Sequence, residues 1–174
     1  NSIPQLGFGL WQVTDDETTA SVKEAFKAGY RSIDSAQVYQ NEAGLGRAIK
    51  EGGVKREELF ITTKIWNSEQ GYDSTLKSFD VSMNKLGLEK LDLLLIHWPS
   101  AHRGLYVETW KAMIQLQRNG RVKSIGVSNF AIEHLNKIME VTPVVPVINQ
   151  IELHPHFQQT ELRAFHDQHQ IKTE

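Results

Sequence analysis

Short, continuous apolar runs recur along the chain about every 30 residues, each followed by a stretch with helical periodicity. The runs fall at Gln5–Leu10, Tyr30–Ile33, Leu59–Thr63, Leu91–Ile96, Val122–Val127 and Val144–Asn149, and Ile171–Glu174 opens a seventh. Runs two to six are rich in β-branched residues, which suits strands buried on both faces, as in a parallel sheet. The stretches between them carry helix start and stop signals. Thr14 with Glu17 three residues later reads as a capping box, and Gly29 follows the helix that runs to Ala28. Asn41 is placed to cap a helix over Glu42–Glu51, which Gly52 and Gly53 end. Further helices are expected near Tyr72–Leu86, Val107–Arg118, Ile132–Glu140 and Thr160–Gln168.

Repeated β-α units without a linker or low-complexity segment predict a single α/β domain over residues 1–174, of the (β/α)8 barrel class. An eight-unit barrel typically needs ~250 residues. The 174 residues supply about six units and the start of a seventh strand. The sequence therefore reads as an incomplete barrel with two unpaired strand edges, expected to continue for two further units. A doubly wound open sheet is the alternative. Its G-x-G-x-x-G phosphate loop is missing, and the nearest glycines, Gly44 and Gly46, sit inside a helical segment.

Composition narrows the function classes. With 19 basic and 21 acidic residues the net charge is −2, and no basic patch marks a nucleic-acid surface. No apolar run approaches the ~20 residues of a membrane span. The chain has no Cys, which removes disulfide and thiolate chemistry and fits a reducing compartment such as the cytoplasm.

The chemistry gathers at strand ends. In a β/α barrel, catalytic groups come from the carboxyl ends of several different strands. Asp34, Tyr39, Lys64 and His97 stand at or just after such ends. A phenol has an ordinary pKa near ~10, and a neighbouring ammonium favours its ionised form. Lys64 can supply that ammonium, Asp34 can hold Lys64, and His97 can donate to a carbonyl oxygen. Together they make a general acid beside an oxygen-binding donor. Taken singly, each has a plainer reading: Asp34 as a turn residue, Tyr39 as a packed aromatic, Lys64 as a solvated lysine, His97 as a core histidine. Lys64 is also a candidate Schiff-base nucleophile of an aldolase, which a neighbouring Asp34 disfavours. Glu152, His154 and His156 have some metal-ligand character, with turn formation as the alternative. His166 and His169 share a helix face that reads as solvated.

The segments GFGLWQV, DSAQVYQNEAGLGRAI, FITTKIWN, LLLIHWP, SIGVSNF and NQIELHP resemble, in order and spacing, the successive motifs of the aldo-keto reductases. The nearest likeness is to bacterial 2,5-diketo-D-gluconate reductase types. The resemblance implies an NADPH-dependent carbonyl reductase, with catalytic roles for Asp34, Tyr39, Lys64 and His97. It implies that Ser128, Asn129 and Gln150, with Asp34 beside them, receive the nicotinamide carboxamide. Trp11, Trp66 and Trp98, with His97, would line the substrate pocket. The partner implied is a small carbonyl compound: a keto-sugar acid, methylglyoxal or an aromatic aldehyde. The full-length protein would be a monomer. No residue here decides NADPH against NADH. A cofactor-binding regulatory subunit with little turnover is a third reading, and the complete set of four favours catalysis over it.

Overall fold

The computed structural model describes residues 2–174. Seven strands form one sheet: β1 (Gly7–Gly9), β2 (Ser32–Asp34), β3 (Phe60–Ile65), β4 (Leu91–Ile96), β5 (Val122–Ser128), β6 (Ile148–Gln150) and β7 (Lys172–Thr173). They lie side by side in chain order, and every pairing is parallel. A helix follows each of the first six: α1 (Asp15–Lys27), α2 (Glu42–Glu51), α3 (Tyr72–Leu86), α4 (Tyr106–Arg118), α5 (Ile132–Val141) and α6 (Thr160–His169). A doubly wound sheet reverses its strand order at a switch point. No reversal occurs here, so that alternative is overturned.

The sheet curls into an arc. Gln150 on β6 reaches across to Asp34 on β2 at 3.0 Å, although three strands separate them in the sheet. The curl gives the strands a concave and a convex face. On the convex face Ile33, Ile61, Leu94, Ile96, Ile125 and Val127 join the apolar faces of the helices in one large core. On the concave face Phe60, Leu93, Leu95 and Ile148 form a smaller cluster against Ile3. Gly126 lies opposite Leu95 in the register. A Cβ there would come within 2.7 Å of the Ile148 carbonyl oxygen, so glycine is what lets β6 pack this close.

Most predicted elements hold, and the differences have physical causes. Thr14 and Glu17 form both halves of the capping box. Asp34 is the last residue of β2 and Lys64 the last but one of β3, rather than following them. The sixth strand was expected at Val144–Asn149 and is only Ile148–Gln150. Pro143 and Pro146 have no N–H for the ladder, and pairing begins only where the Val147 N–H donates to the Ile125 carbonyl (3.1 Å). Asn41 does not cap α2 with its side chain. It is buried and spends its amide on the Leu10 and Val13 carbonyls, at 2.9 and 2.8 Å, while accepting from the Ser35 hydroxyl.

Helix α2 is wedged between α1 and α3, and its glycines set the spacing. A Cβ on Gly44 would meet the Asp15 carbonyl oxygen at 2.5 Å, and one on Gly46 the Lys85 carbonyl oxygen at 2.5 Å. Alanine is the better helix former by ~1 kcal/mol. Overpacking costs about 1–3 kcal/mol, and backbone on the facing helix cannot step aside as a flexible side chain does. Gly46→Ala is therefore expected to destabilise the fold by roughly 1–2 kcal/mol. Urea unfolding measures it, and a stabilised variant would show that the helices are not so tightly nested.

Candidate active site

Alternation along the strands decides which side chains meet. Asp34, Lys64, Ser128 and Gln150 fall on the concave face at the carboxyl ends of β2, β3, β5 and β6. The loops that follow add Tyr39, Trp66, His97 and Asn129 to the same mouth.

Lys64 is the centre of the cluster. Its side chain is 1% exposed, and it forms an ion pair with Asp34. Its ammonium also donates to the Ser35 carbonyl at 3.1 Å and lies 3.5 Å from the Tyr39 hydroxyl. The same ammonium stands 5.1 Å from the centre of the Tyr39 ring. A charged group so deeply buried is tolerated only when it is paired. Asp34 divides its oxygens between Lys64 and the Gln150 amide, which joins β2, β3 and β6.

Tyr39 is carried by a short 3-10 helix, Gln37–Tyr39, directly after β2. Two residues that the sequence did not single out for this role secure that turn. Gln37 donates to the Ser78 carbonyl and the Ser82 hydroxyl on α3, and accepts from the Trp66 N–H at 2.8 Å. Asn41 ties the far side to the β1 loop, as described above. A polar side chain next to a candidate acid is a weak signal alone, since most such residues are solvated.

His97 follows β4 and is buried, with Nδ1 lacking any hydrogen-bond partner among the described residues. Its ring meets Tyr39 edge-on at 5.6 Å and Trp66 at 5.1 Å. Burial, and secondarily the Lys64 charge, lowers its pKa to about 4. At neutral pH the ring is therefore uncharged, with one N–H to donate and one lone pair.

Ser128, Asn129 and Gln150 form a ledge across the ends of β5 and β6. The Gln150 carbonyl accepts from the Ser128 hydroxyl (3.0 Å) and from the Asn129 N–H (2.9 Å). Asn129 has a left-handed backbone, φ 61°, and its amide donates to the His97 carbonyl at 3.0 Å. Behind the ledge, Asn149 is fully buried and grips the Phe130 peptide from both sides. It accepts from the Phe130 N–H (3.3 Å) and donates to the Phe130 carbonyl (2.9 Å).

The three tryptophans differ in setting. Trp66 is half-buried against His97, whereas Trp11 and Trp98 are exposed around the mouth. Glu152 and His154 bond to each other at 2.9 Å on the surface. No group of three metal-ligating side chains occurs among the described residues. The solvated reading of His166 is overturned, because its ring is completely buried. His169 instead stacks on Phe165, with centroids 4.3 Å apart. No helix among the described residues is long and apolar enough to cross a membrane.

A parallel β/α arc with this cluster at its carboxyl end can be set beside known proteins. Residues 5–173 match the model of the Aldo/keto reductase family, and the chain belongs to that family. It is 51% identical over its whole length to the methylglyoxal reductase DkgA of Salmonella typhimurium, covering 62% of that protein. It is 57% identical to an aldo/keto reductase from Brucella melitensis of known crystal structure. The TM-score is 0.97, over 99% of this chain and 68% of that one. A variant of Gox0644, solved in complex with NADPH, superposes with a TM-score of 0.95 at 55% identity, over 99% of this chain and 62% of that one. The chain spans less than two thirds of the length of these curated relatives.

The lowered His97 pKa has a measurable consequence. An unfolded histidine titrates near 6.5, so as pH falls the unfolded state takes up the proton first. The stabilisation is complete above about pH 6.5 and is lost as pH falls to about 4, an upper bound of about 3 kcal/mol. Proton NMR of the imidazole should show a midpoint near 4, and His97→Phe should flatten the stability curve in that window. An ordinary midpoint near 6.5 would mean that the ring is solvated.

Proposed function

We propose that this protein reduces the carbonyl group of a small molecule to an alcohol, with NADPH as hydride donor and Tyr39 as general acid. The observation that carries this reading is Lys64, held by Asp34 and set 3.5 Å from the Tyr39 hydroxyl. As the phenolic proton leaves, negative charge grows on the tyrosine oxygen, and the neighbouring ammonium stabilises it. Asp34 keeps that ammonium in place. Neutral His97 donates to the substrate oxygen and orients it towards Tyr39.

The ledge fits a nicotinamide carboxamide by its chemistry. A carboxamide needs both donors and acceptors in one plane, and Ser128, Asn129 and Gln150 offer hydroxyl, N–H and C=O groups side by side. When bound, NADPH supplies the hydride. The family and the NADPH complex of the structural relative support this choice of cofactor. Trp11, Trp66 and Trp98 surround the mouth and give an apolar rim for the substrate. The relative named as a methylglyoxal reductase supports a small dicarbonyl or keto-sugar acid, such as methylglyoxal or 2,5-diketo-D-gluconate. The reading includes a cytoplasmic monomer, which the absence of Cys suits.

The geometry disfavours the aldolase reading. Lys64 donates to a carboxylate and a backbone carbonyl and faces a phenol, which engages all three donors of an ammonium and leaves no lone pair for attack.

Tyr39→Phe is expected to lower carbonyl reduction by ~10²–10⁴-fold, the usual worth of a general acid, while NADPH still binds. A rate within threefold of the parent would remove Tyr39 from this role. Lys64→Met should impair turnover comparably, and borohydride with a ketone should trap no adduct on Lys64. A trapped adduct would instead establish the aldolase. Ser128→Ala, Asn129→Ala and Gln150→Ala should each lower turnover, since a misplaced reacting atom can cost ~10²-fold. NADPH binding without any carbonyl-dependent oxidation in the parent protein would favour a regulatory subunit.

A further inference from the structure

Behind the ledge runs a chain of buried side-chain hydrogen bonds that the chemistry above does not use. Asn149 on β6 clasps the Phe130 peptide, the first unit after Ser128 and Asn129. The Phe130 N–H must donate and the Phe130 carbonyl must accept, so the orientation of the Asn149 amide is fixed: Oδ1 faces the N–H and Nδ2 faces the carbonyl. The second hydrogen on Nδ2 points at His166 Nε2 on α6, 3.0 Å away. A donor there requires a bare Nε2. The ring proton then sits on Nδ1, where the Thr173 hydroxyl of β7 accepts it at 2.9 Å. His166 and Asn149 are both fully buried, so water cannot replace the bond between them, while Thr173 at the far side of the ring is exposed. Burial also lowers the His166 pKa, which keeps the ring neutral.

We infer that His166 is a positioning residue for the cofactor ledge. Fixed as the Nδ1–H tautomer, it orients Asn149 and thereby holds the left-handed turn that presents Ser128 and Asn129. The inference rests on the reading of that ledge as the nicotinamide site. His166 touches neither the proposed substrate nor the cofactor. Its effect is on how well the ledge is formed before binding, so it acts on cofactor affinity more than on the chemical step.

The test uses the intact protein with 15N-labelled histidine, and two variants. His166→Leu removes the acceptor and keeps the apolar bulk. His166→Gln can restore an oxygen near the former Nε2 position. The expected NMR signature in the parent protein is Nδ1 protonated and Nε2 bare. His166→Leu should raise the KM and Kd for NADPH about fivefold to tenfold, the worth of one lost buried hydrogen bond, with a smaller change in kcat. His166→Gln should recover most of that loss. An Nε2–H tautomer, an unchanged NADPH Kd in His166→Leu, or a Gln variant no better than Leu would each overturn the inference. If the Leu variant does not fold, the tautomer and the Gln variant decide. Ser128→Ala and Asn129→Ala separate the two levels. If they leave both turnover and NADPH binding unchanged, the ledge reading fails and takes this inference with it. If they lower turnover or weaken binding while His166→Leu leaves NADPH binding unchanged, only the role of His166 fails.

Discussion

A lysine ammonium with 1% of its side chain exposed organises the mouth of this protein. Removing such a charge from water costs several kcal/mol unless it is paired and hydrogen-bonded. Asp34 provides the pairing and the Ser35 carbonyl adds a bond. Asp34 in turn needs a second partner and finds it in Gln150. The demand of one buried cation thus reaches from β3 to β2 and across the concave face to β6. Replacing Lys64 by an apolar residue would leave the Asp34 carboxylate with only the Gln150 amide.

Much of this is legible in the sequence. The recurrence of β-branched runs named the sheet as parallel, and Gly or Asn-Gly stops marked the helix ends within a residue or two. The four chemistry-bearing residues were visible because strand ends in such a fold converge on one point, and Lys64 in the middle of an apolar run is otherwise hard to explain. The less legible features depend on partners distant in sequence. Nothing local says that Asn41 spends its amide on Leu10 and Val13 rather than on the helix it precedes. Pattern alone made Val144–Asn149 a strand, and the two prolines show why only its last residues pair. His166 looked solvated because its neighbours on α6 are polar, yet Asn149 and Thr173 bury it from outside the helix.

The site also shows how a polar interior is kept specific. Asn41, Asn149 and Gln37 are amides with both ends engaged by backbone or by fixed side chains. Each holds a turn beside the polar cluster: Gln37 the Tyr39 turn from one side, Asn41 from the other, and Asn149 the turn after Ser128. Amides suit this task because they offer a donor and an acceptor without a charge to stabilise. His97 differs in having an unpartnered buried nitrogen. Such a group is costly in a resting protein and is commonly found where function requires it.

The strand order has a consequence for how the molecule assembles. Because each strand pairs with the next in sequence, every step in building the sheet closes a loop of roughly 30 residues. The Asp34–Gln150 bond is different, spanning 116 residues. Closing a loop of that length costs ~1 kcal/mol more entropy than closing one neighbouring pair. A nascent chain emerging from its amino terminus can therefore lay down the Asp34–Lys64 pair early, while Gln150 arrives only with β6, after β4 and β5 are in place. The contact that completes the polar cluster is also the one with the greatest sequence separation, so the mouth is finished only once the arc has curled.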